Sequence, residues 1–546
     1  MSSESQSRFG RGASSMVSAV FISKILGLLF IIPLQNMIGG YSYGLYYLAY
    51  PLYTIMLTLS TAGFPLALSK SISDLSARGR HREATATFQI VGRAMLIFGL
   101  VSFLLMWFLG PLYLKFTIPA NQHTLQRDAL PAIRALAPAL LLLPLMSAMR
   151  GYLQGYLRLQ PSGTSQVVEQ IVRVVFILAG AFIVIQLGYG PRVTAAIATF
   201  GAVAGAVPAF IVLRRAVIKT RREHVRKTRT TEIPKIKARS VLWKLFVYSL
   251  PIAMGTLVLP LSQQVDAWTV PRELIASGFS IVAATVQYGI YSGEALKLIQ
   301  LPLSFANAIG ASVMPAITEA MARKDRNLGE TRLLLTLRMT GFITLPGAMI
   351  LSVLALPINL ALFKSTAGTD AIALAGVMSI FSAIELVSTY ILQGYDRFYT
   401  PVWHMGVGLL LKLVFNLLLI PLLGIDGAAI AGIIGYFVSS WLNMSALRKT
   451  TGLRIYFFRL TWRTWISTAI LGICTYGILR LYEYMTTWMP IFHASRLLAL
   501  GAVIAGLVLG GPIYIAVSII LRAVDQEELL HMPMIGPLLT RLSRSF

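Results

Sequence analysis

The sequence predicts an all-α polytopic membrane protein with fourteen transmembrane helices, set out as two six-helix lobes in a parallel pseudo-two-fold repeat plus two C-terminal helices. Three observations predict it. Of 546 residues, 56% are hydrophobic and only 12% charged, and the mean hydropathy is +0.72, values foreign to a soluble domain with one ordinary core. Apolar runs of about 20 residues, enough to cross about 30 Å of hydrocarbon, recur along the whole chain. The formal net charge of +26 is gathered into a few loops rather than spread.

The longest of those loops sets the orientation. Residues 214–244 carry twelve basic residues, among them Arg214, Arg215, Arg221, Arg222, Lys235 and Lys244, against two acids, Glu223 and Glu232. The positive-inside rule places such a segment in the cytoplasm. A nucleic-acid partner is not expected, because anionic lipid headgroups account for a basic patch beside spans.

Taken in order, the apolar runs give spans near 14–37, 44–68, 90–114, 131–156, 165–187, 193–213, 245–268, 287–313, 333–357, 371–394, 402–422, 426–447, 465–487 and 496–522. Both termini then lie inside, in a multi-pass protein of the cell membrane. The first run is too long for a signal-peptide core and is expected to be retained. Arg78, Arg80 and Arg82 mark a second inside loop, Arg323, Lys324 and Arg326 a third, and Arg448, Lys449, Arg454, Arg459 and Arg463 a fourth. Residues 115–134 are expected as an outside loop, although Lys115, Arg127 and Arg134 make it more basic than the rule prefers. The runs are continuous and long, which means helices rather than barrel strands.

An internal repeat crosses the basic loop. Tyr152-Leu-Gln-Gly-Tyr156 recurs as Ile391-Leu-Gln-Gly-Tyr395, each followed by a proline, Pro161 or Pro401, and a cation, Arg173 or Lys412. Earlier in each half, Ile32-Pro33-Leu34-Gln35 matches Leu259-Pro260-Leu261-Ser262, and Pro51 followed by Pro65 matches Pro302 followed by Pro315. Six spans per half, an even number, relate the copies by an axis along the membrane normal. The expected divisions are an N-lobe at 1–213, the basic linker at 214–244, a C-lobe at 245–447, and a tail at 448–546 that opens on an interfacial helix near 451–463.

Ionisable residues inside spans are costly and mark cavities or partners. Lys24, Lys297 and Lys412 fall near mid-depth, which suggests one aqueous chamber. Glu294, three residues before Lys297, shares its helical face and offers an ion pair. Arg150, Glu169, Gln170 and Arg173 cluster toward the cytoplasmic side, with Glu169 and Arg173 spaced to pair. Asp266, near Gln263 and Gln264, reads either as a gate or cation site or as a solvated helix end. Glu385 is an isolated acid, and His404 reads as a pH switch or as a solvated polar residue. Lys24, Lys297, Lys412, Arg173 and Arg150 are therefore the candidate substrate-binding residues, and Asp266, Glu169, Glu294 and Glu385 the candidate gating or coupling residues.

No phosphate-binding G-x-x-x-x-G-K-[ST], H-E-x-x-H, C-x-x-C or G-x-S-x-G motif is present, and the single cysteine, Cys474, sits in an apolar run. Transport rather than catalysis is the activity left. No metal or cofactor is expected; the membrane potential, H+ or Na+ would supply the energy.

The two six-span halves with two extra helices, the R-G-Y-L-Q-G-Y stretch at Arg150 to Tyr156, P-x-x-x-S-Q-V-V-E-Q-I-V-R at Pro161 to Arg173, and A-L-K-L-I-Q-L-P at Ala295 to Pro302 resemble the MurJ/SpoVB branch of the multidrug/oligosaccharidyl-lipid/polysaccharide exporter superfamily, in its YtgP-like form. The resemblance implies a flippase that carries lipid II, the undecaprenyl-pyrophosphate-linked peptidoglycan precursor, from inner to outer leaflet by alternating access. It implies cavity cations that hold the pyrophosphate and a groove on the last two helices for the polyprenyl tail. Lys24 and Lys297 stand where the better-known branch has arginines, and a lysine supplies a point charge instead of a bidentate fork. Expected partners are the lipid-linked glycan, membrane lipids and cell-wall synthesis proteins, with the chain itself a monomer. Export of another lipid-linked oligosaccharide and a MATE-like drug or cation antiport are the alternatives; the antiporter would need mid-depth acids where this chain has bases.

Overall fold

The computed structural model describes residues 19, 22–61, 63–119, 121–225, 237–488 and 495–523. No strand occurs among them. Helices α1 (residues 22–29), α2 (Ile31–Thr61), α3 (Phe64–Ala77), α4 (His81–Thr117), α5 (His123–Leu136), α6 (Ala139–Gly155), α7 (Leu159–Gln186), α8 (Pro191–Val225), α9 (Ala238–Thr256), α10 (Val258–Ala276) and α11 (Ile281–Ile290) form the first part of the chain. A π turn at Tyr291–Ala295 follows, then α12 (Leu296–Leu298), α13 (Gln300–Ala322), α14 (Arg326–Val353), α15 (Ala355–Phe363), α16 (Thr369–Gly394), α17 (Tyr399–Leu423), α18 (Ile425–Thr451), α19 (Phe457–Leu460), α20 (Trp462–Trp488) and α21 (Arg496–Ile520).

Twelve helical stretches among the described residues are long and apolar enough to cross a membrane. The difference from fourteen arises in two places. Residues Ile22–Ala77 form one 56-residue stretch, where two spans are expected. At 1.5 Å per residue that is far longer than one crossing, and the backbone leaves helical geometry at Gly39 (φ 75°, ψ 158°), between the two expected spans. The expected span 245–268 is divided at Leu257 between α9 and α10, so neither piece qualifies alone.

Three further departures have plain causes. The supposed outside loop is largely helix, because Leu125, Ala129, Ala132, Ile133 and Leu136 form a buried face on α5 at helical spacing. Tyr41 on α2 donates to Asp128 on α5 at 3.1 Å. Helix α8 runs on past residue 213 into the basic segment, whose Arg and Lys are good helix formers; residues 226–236 of that linker lie outside the described residues. The expected interfacial helix near 451–463 is helical only over Phe457–Leu460. Its chain is held instead by Arg448, whose Nε donates to Ile455 O at 2.6 Å and whose guanidinium stacks 4.4 Å from the Tyr456 ring.

The chain divides into two compact units, Met1–Gly289 and Ile290–Phe546. Within the first, α8 packs along α7 and α6, and α6 packs against α3 and α4. Within the second, α18 packs along α17 and α16, and α16 packs against α13 and α14. Each unit therefore repeats one packing plan, and close contacts fix its register. A Cβ built on Gly155 would lie 2.6 Å from Ile72 Cβ and 2.8 Å from Ser69 O; one on Gly394 would lie 2.9 Å from Ile317 Cβ and 3.1 Å from Met314 O. The motif glycine thus meets the same turn of the earlier helix in both halves. In that register Pro65 corresponds to Gly310 rather than to Pro315, because Pro65 faces Gly151 as Gly310 faces Tyr390. Matching prolines along the sequence missed this by five residues.

The last two helices dock within the second unit: α20 on α14 and α21 on α15. Tyr514 donates to Phe342 O at 2.7 Å and Arg496 Nε to Ala361 O at 2.7 Å. Tyr514→Phe is expected to lower stability by about 1 kcal/mol, the usual net worth of one such bond, in thermal unfolding of the detergent-solubilised chain.

Candidate functional site

In the first unit, Ser165, Glu169 and Arg173 follow one another at four-residue spacing on α7 and so share a face. Arg150, on α6, reaches that face. Its Nε donates to Ser165 Oγ at 3.2 Å and its Nη2 to Glu169 Oε2 at 2.9 Å, while Arg173 Nη2 donates to Glu169 Oε1 at 2.8 Å. One carboxylate thus serves two guanidiniums, one per oxygen, and the group keeps one net positive charge. All three side chains are mostly buried. The phenols of Tyr46, Tyr50 and Tyr53 on α2 lie within electrostatic reach of Arg173, and the Tyr46 and Tyr50 hydroxyls are 2.7 Å apart. This adds a strip of uncharged polar groups beside the surplus charge.

Helix α1 meets the same region: a Cβ on Gly27 would lie 3.2 Å from Gln170 Nε2. Lys24, one turn before Gly27, is exposed on the unit. Asp266 is 0% exposed, which rules out the solvated-helix-end reading. Two residues away, Gln264 Nε2 donates to the Tyr113 hydroxyl at 3.4 Å, and that hydroxyl donates to Leu48 O at 3.3 Å.

In the second unit, Glu294 is buried inside the π turn and Lys297 is half-buried on α12. Lys412 is 3% exposed and is the counterpart of Arg173 in a concrete sense. A Cβ on Gly435 would lie 2.8 Å from Gly408 O and 3.1 Å from Lys412 Cβ; one on Gly205 would lie 2.4 Å from Glu169 O and 3.0 Å from Arg173 Cβ. In each half the cation follows, by one turn, the point where a glycine lets the next helix touch backbone.

Glu385 is 2% exposed, and its Oε1 accepts from the Thr389 hydroxyl at 3.2 Å. His404 is not merely solvated, because its Nδ1 meets Asn443 Oδ1 at 2.8 Å. The structure thus joins Arg150, Glu169 and Arg173 directly, and connects Glu385 to His404 through side chains the sequence reading passed over. Tyr46, Tyr50 and Tyr53 were also missed, although their i, i+4, i+7 spacing was a visible signal. No cluster of His, Cys, Asp and Glu suited to a metal occurs among the described residues.

A family described as polysaccharide biosynthesis protein matches residues 9–321, more than half of the chain. The chain belongs to that family. It is 26% identical over 518 residues to the lipid II flippase MurJ of Bacillus subtilis (strain 168), spanning 93% of this chain and 94% of the relative. It is 27% identical over 542 residues to stage V sporulation protein B of the same organism, spanning 98% and 99%. Among solved structures, the inward closed conformation of lipid II flippase MurJ superposes with a TM-score of 0.63 at 16% identity, over 93% of this chain and 98% of that one. The fold is therefore the MurJ-type fold of a multi-pass membrane protein, and the relatives named are a lipid II flippase and a sporulation protein.

Proposed function

We propose that this chain is a flippase that moves a lipid-linked glycan pyrophosphate, with lipid II as the substrate, from inner to outer leaflet by alternating access. The observation that carries the reading is the Arg150–Glu169–Arg173 group, which keeps a positive charge inside a membrane-spanning unit, with an equivalent cation, Lys412, in the other. A drug-cation carrier needs the opposite sign at such places, whereas a pyrophosphate needs this one. The full-length likeness to MurJ supports the substrate class. Lys24 and Lys297 add charge for the headgroup, and the basic loops set both termini in the cytoplasm. The membrane potential or a coupled ion drives the cycle, with the chain acting as a monomer beside cell-wall synthesis proteins.

The test is depletion of the protein followed by measurement of lipid II at the outer leaflet. Complementation with Lys24→Ala plus Lys297→Ala is expected to leave delivery at least about tenfold below wild type, the effect of losing about 1.4 kcal/mol of headgroup binding. Normal delivery by the double variant removes these lysines from the site. Normal lipid II but a missing capsule or spore glycan assigns the cargo to a different lipid-linked oligosaccharide.

A further inference from the structure

Glu385, one of two buried glutamates among the described residues of the second unit, terminates a directed chain of donors. Asn443 Nδ2 faces Ser388 Oγ at 3.1 Å and Thr389 Oγ1 at 3.3 Å, so its Oδ1 is the atom turned to His404 Nδ1. The imidazole N–H therefore donates to Asn443, the Asn443 amide donates to Thr389, and the Thr389 hydroxyl donates to Glu385 Oε1. Three helices contribute, α17, α18 and α16 in turn. Every proton in the chain points toward the carboxyl.

A carboxylate this deep, with one hydroxyl donor, is costly to keep charged unless it takes up a proton or a cation. The surroundings select the proton. A metal cation requires several oxygens aimed at it, but here Asn443 presents its N–H groups to the Ser388, Thr389 and Glu385 side. The ionisable groups on the elements packed against α16 are Tyr399, His404 and Lys412 on α17, Asp426, Tyr436, Arg448 and Lys449 on α18, Arg326, Glu330, Arg332 and Arg338 on α14, Glu319 on α13, Tyr291 and Glu294 on the π turn, and Lys297 on α12; α16 itself adds Asp370 and Tyr390.

We propose that Glu385 is a proton-binding site of the transport cycle, and that His404 tunes its proton affinity as a positioning residue through Asn443 and Thr389. On uptake, an O–H bond forms at the Glu385 carboxylate with a proton drawn from water, and the negative charge is lost; release is the reverse. Because the group is 2% exposed, exchange requires α16, α17 and α18 to part, which ties the proton to a change of conformation. This rests on the transport reading above and names its coupling ion.

Infrared titration of the purified full chain between about pH 5 and about pH 9 is expected to show a protonated-carboxyl band that Glu385→Gln removes while the amide bands stay unchanged. His404→Ala is expected to bind that proton about tenfold more tightly, since one donor supporting the charged form is gone. In proteoliposomes holding a fluorescent polyprenyl-pyrophosphate glycan, wild-type flipping should vary about tenfold per pH unit on one side of its midpoint, and Glu385→Gln should flatten that slope. A band identical in wild type and Glu385→Gln overturns the site. A Glu385-specific band with an unchanged transport profile in Glu385→Gln overturns the coupling. The band without any wild-type flipping supports the proton site and removes the flippase reading instead.

Discussion

Glu169→Ala is expected to destabilise the chain by about 3–5 kcal/mol, because removing the one shared carboxylate strands two mostly buried guanidiniums. Arg150 and Arg173 each draw a charge-assisted bond from Glu169, at 2.9 and 2.8 Å, and without it they repel each other as well. Thermal unfolding in detergent measures the loss. Glu169→Gln keeps a carbonyl acceptor and should lose less. Adding Arg173→Leu to Glu169→Ala should recover part of the deficit, since one stranded charge leaves with it. A Glu169→Ala variant as stable as wild type would mean that water already satisfies the arginines.

The second large effect lies at the paired glycines. Gly205→Ala and Gly435→Ala each place a methyl group against a carbonyl oxygen, at 2.4 Å from Glu169 O and 2.8 Å from Gly408 O. Backbone inside a helix cannot swing aside, so α7 and α8, or α17 and α18, must separate at a cost of about 1–3 kcal/mol. The same movement shifts Arg173 or Lys412, so flipping should fall in parallel with stability. Gly406→Ala, on α17 with nothing within 4 Å of the added carbon, is the control and should be silent in both measurements. Equal behaviour at Gly406 and Gly435 would discard the packing argument.

How much was legible in the sequence follows from what each signal measures. Apolar run length measures membrane crossing, so most spans and the paired halves were readable. It fails where a span is broken at Leu257, or where one bend at Gly39 leaves two crossings in one helical stretch. Which face of a span points inward is harder to read, because lipid and protein interior are both apolar and the periodic contrast that betrays a surface helix is weak. The i, i+4 pairing of Glu169 with Arg173 was readable because both ends are charged. The partners of Glu385 were not: Thr389 and Asn443 look ordinary in sequence, and only α18 crossing between α16 and α17 links them to His404. Helix α5 was misread because polar content was taken for a loop while its spacing of Leu125, Ala129 and Ala132 went unused.

The docking of the final helix pair has a mechanical consequence. Tyr514 and Arg496 fasten α21 to backbone carbonyls of α14 and α15, and α20 lies along α14. The strap leading into the pair is itself clamped, by Arg326 onto Thr451 O and by Arg448 onto Ile455 O. These two helices are passengers bolted to their carriage: whatever travel the second unit makes, they make with it, and a tail resting on their outer surface would be carried along instead of being handed over.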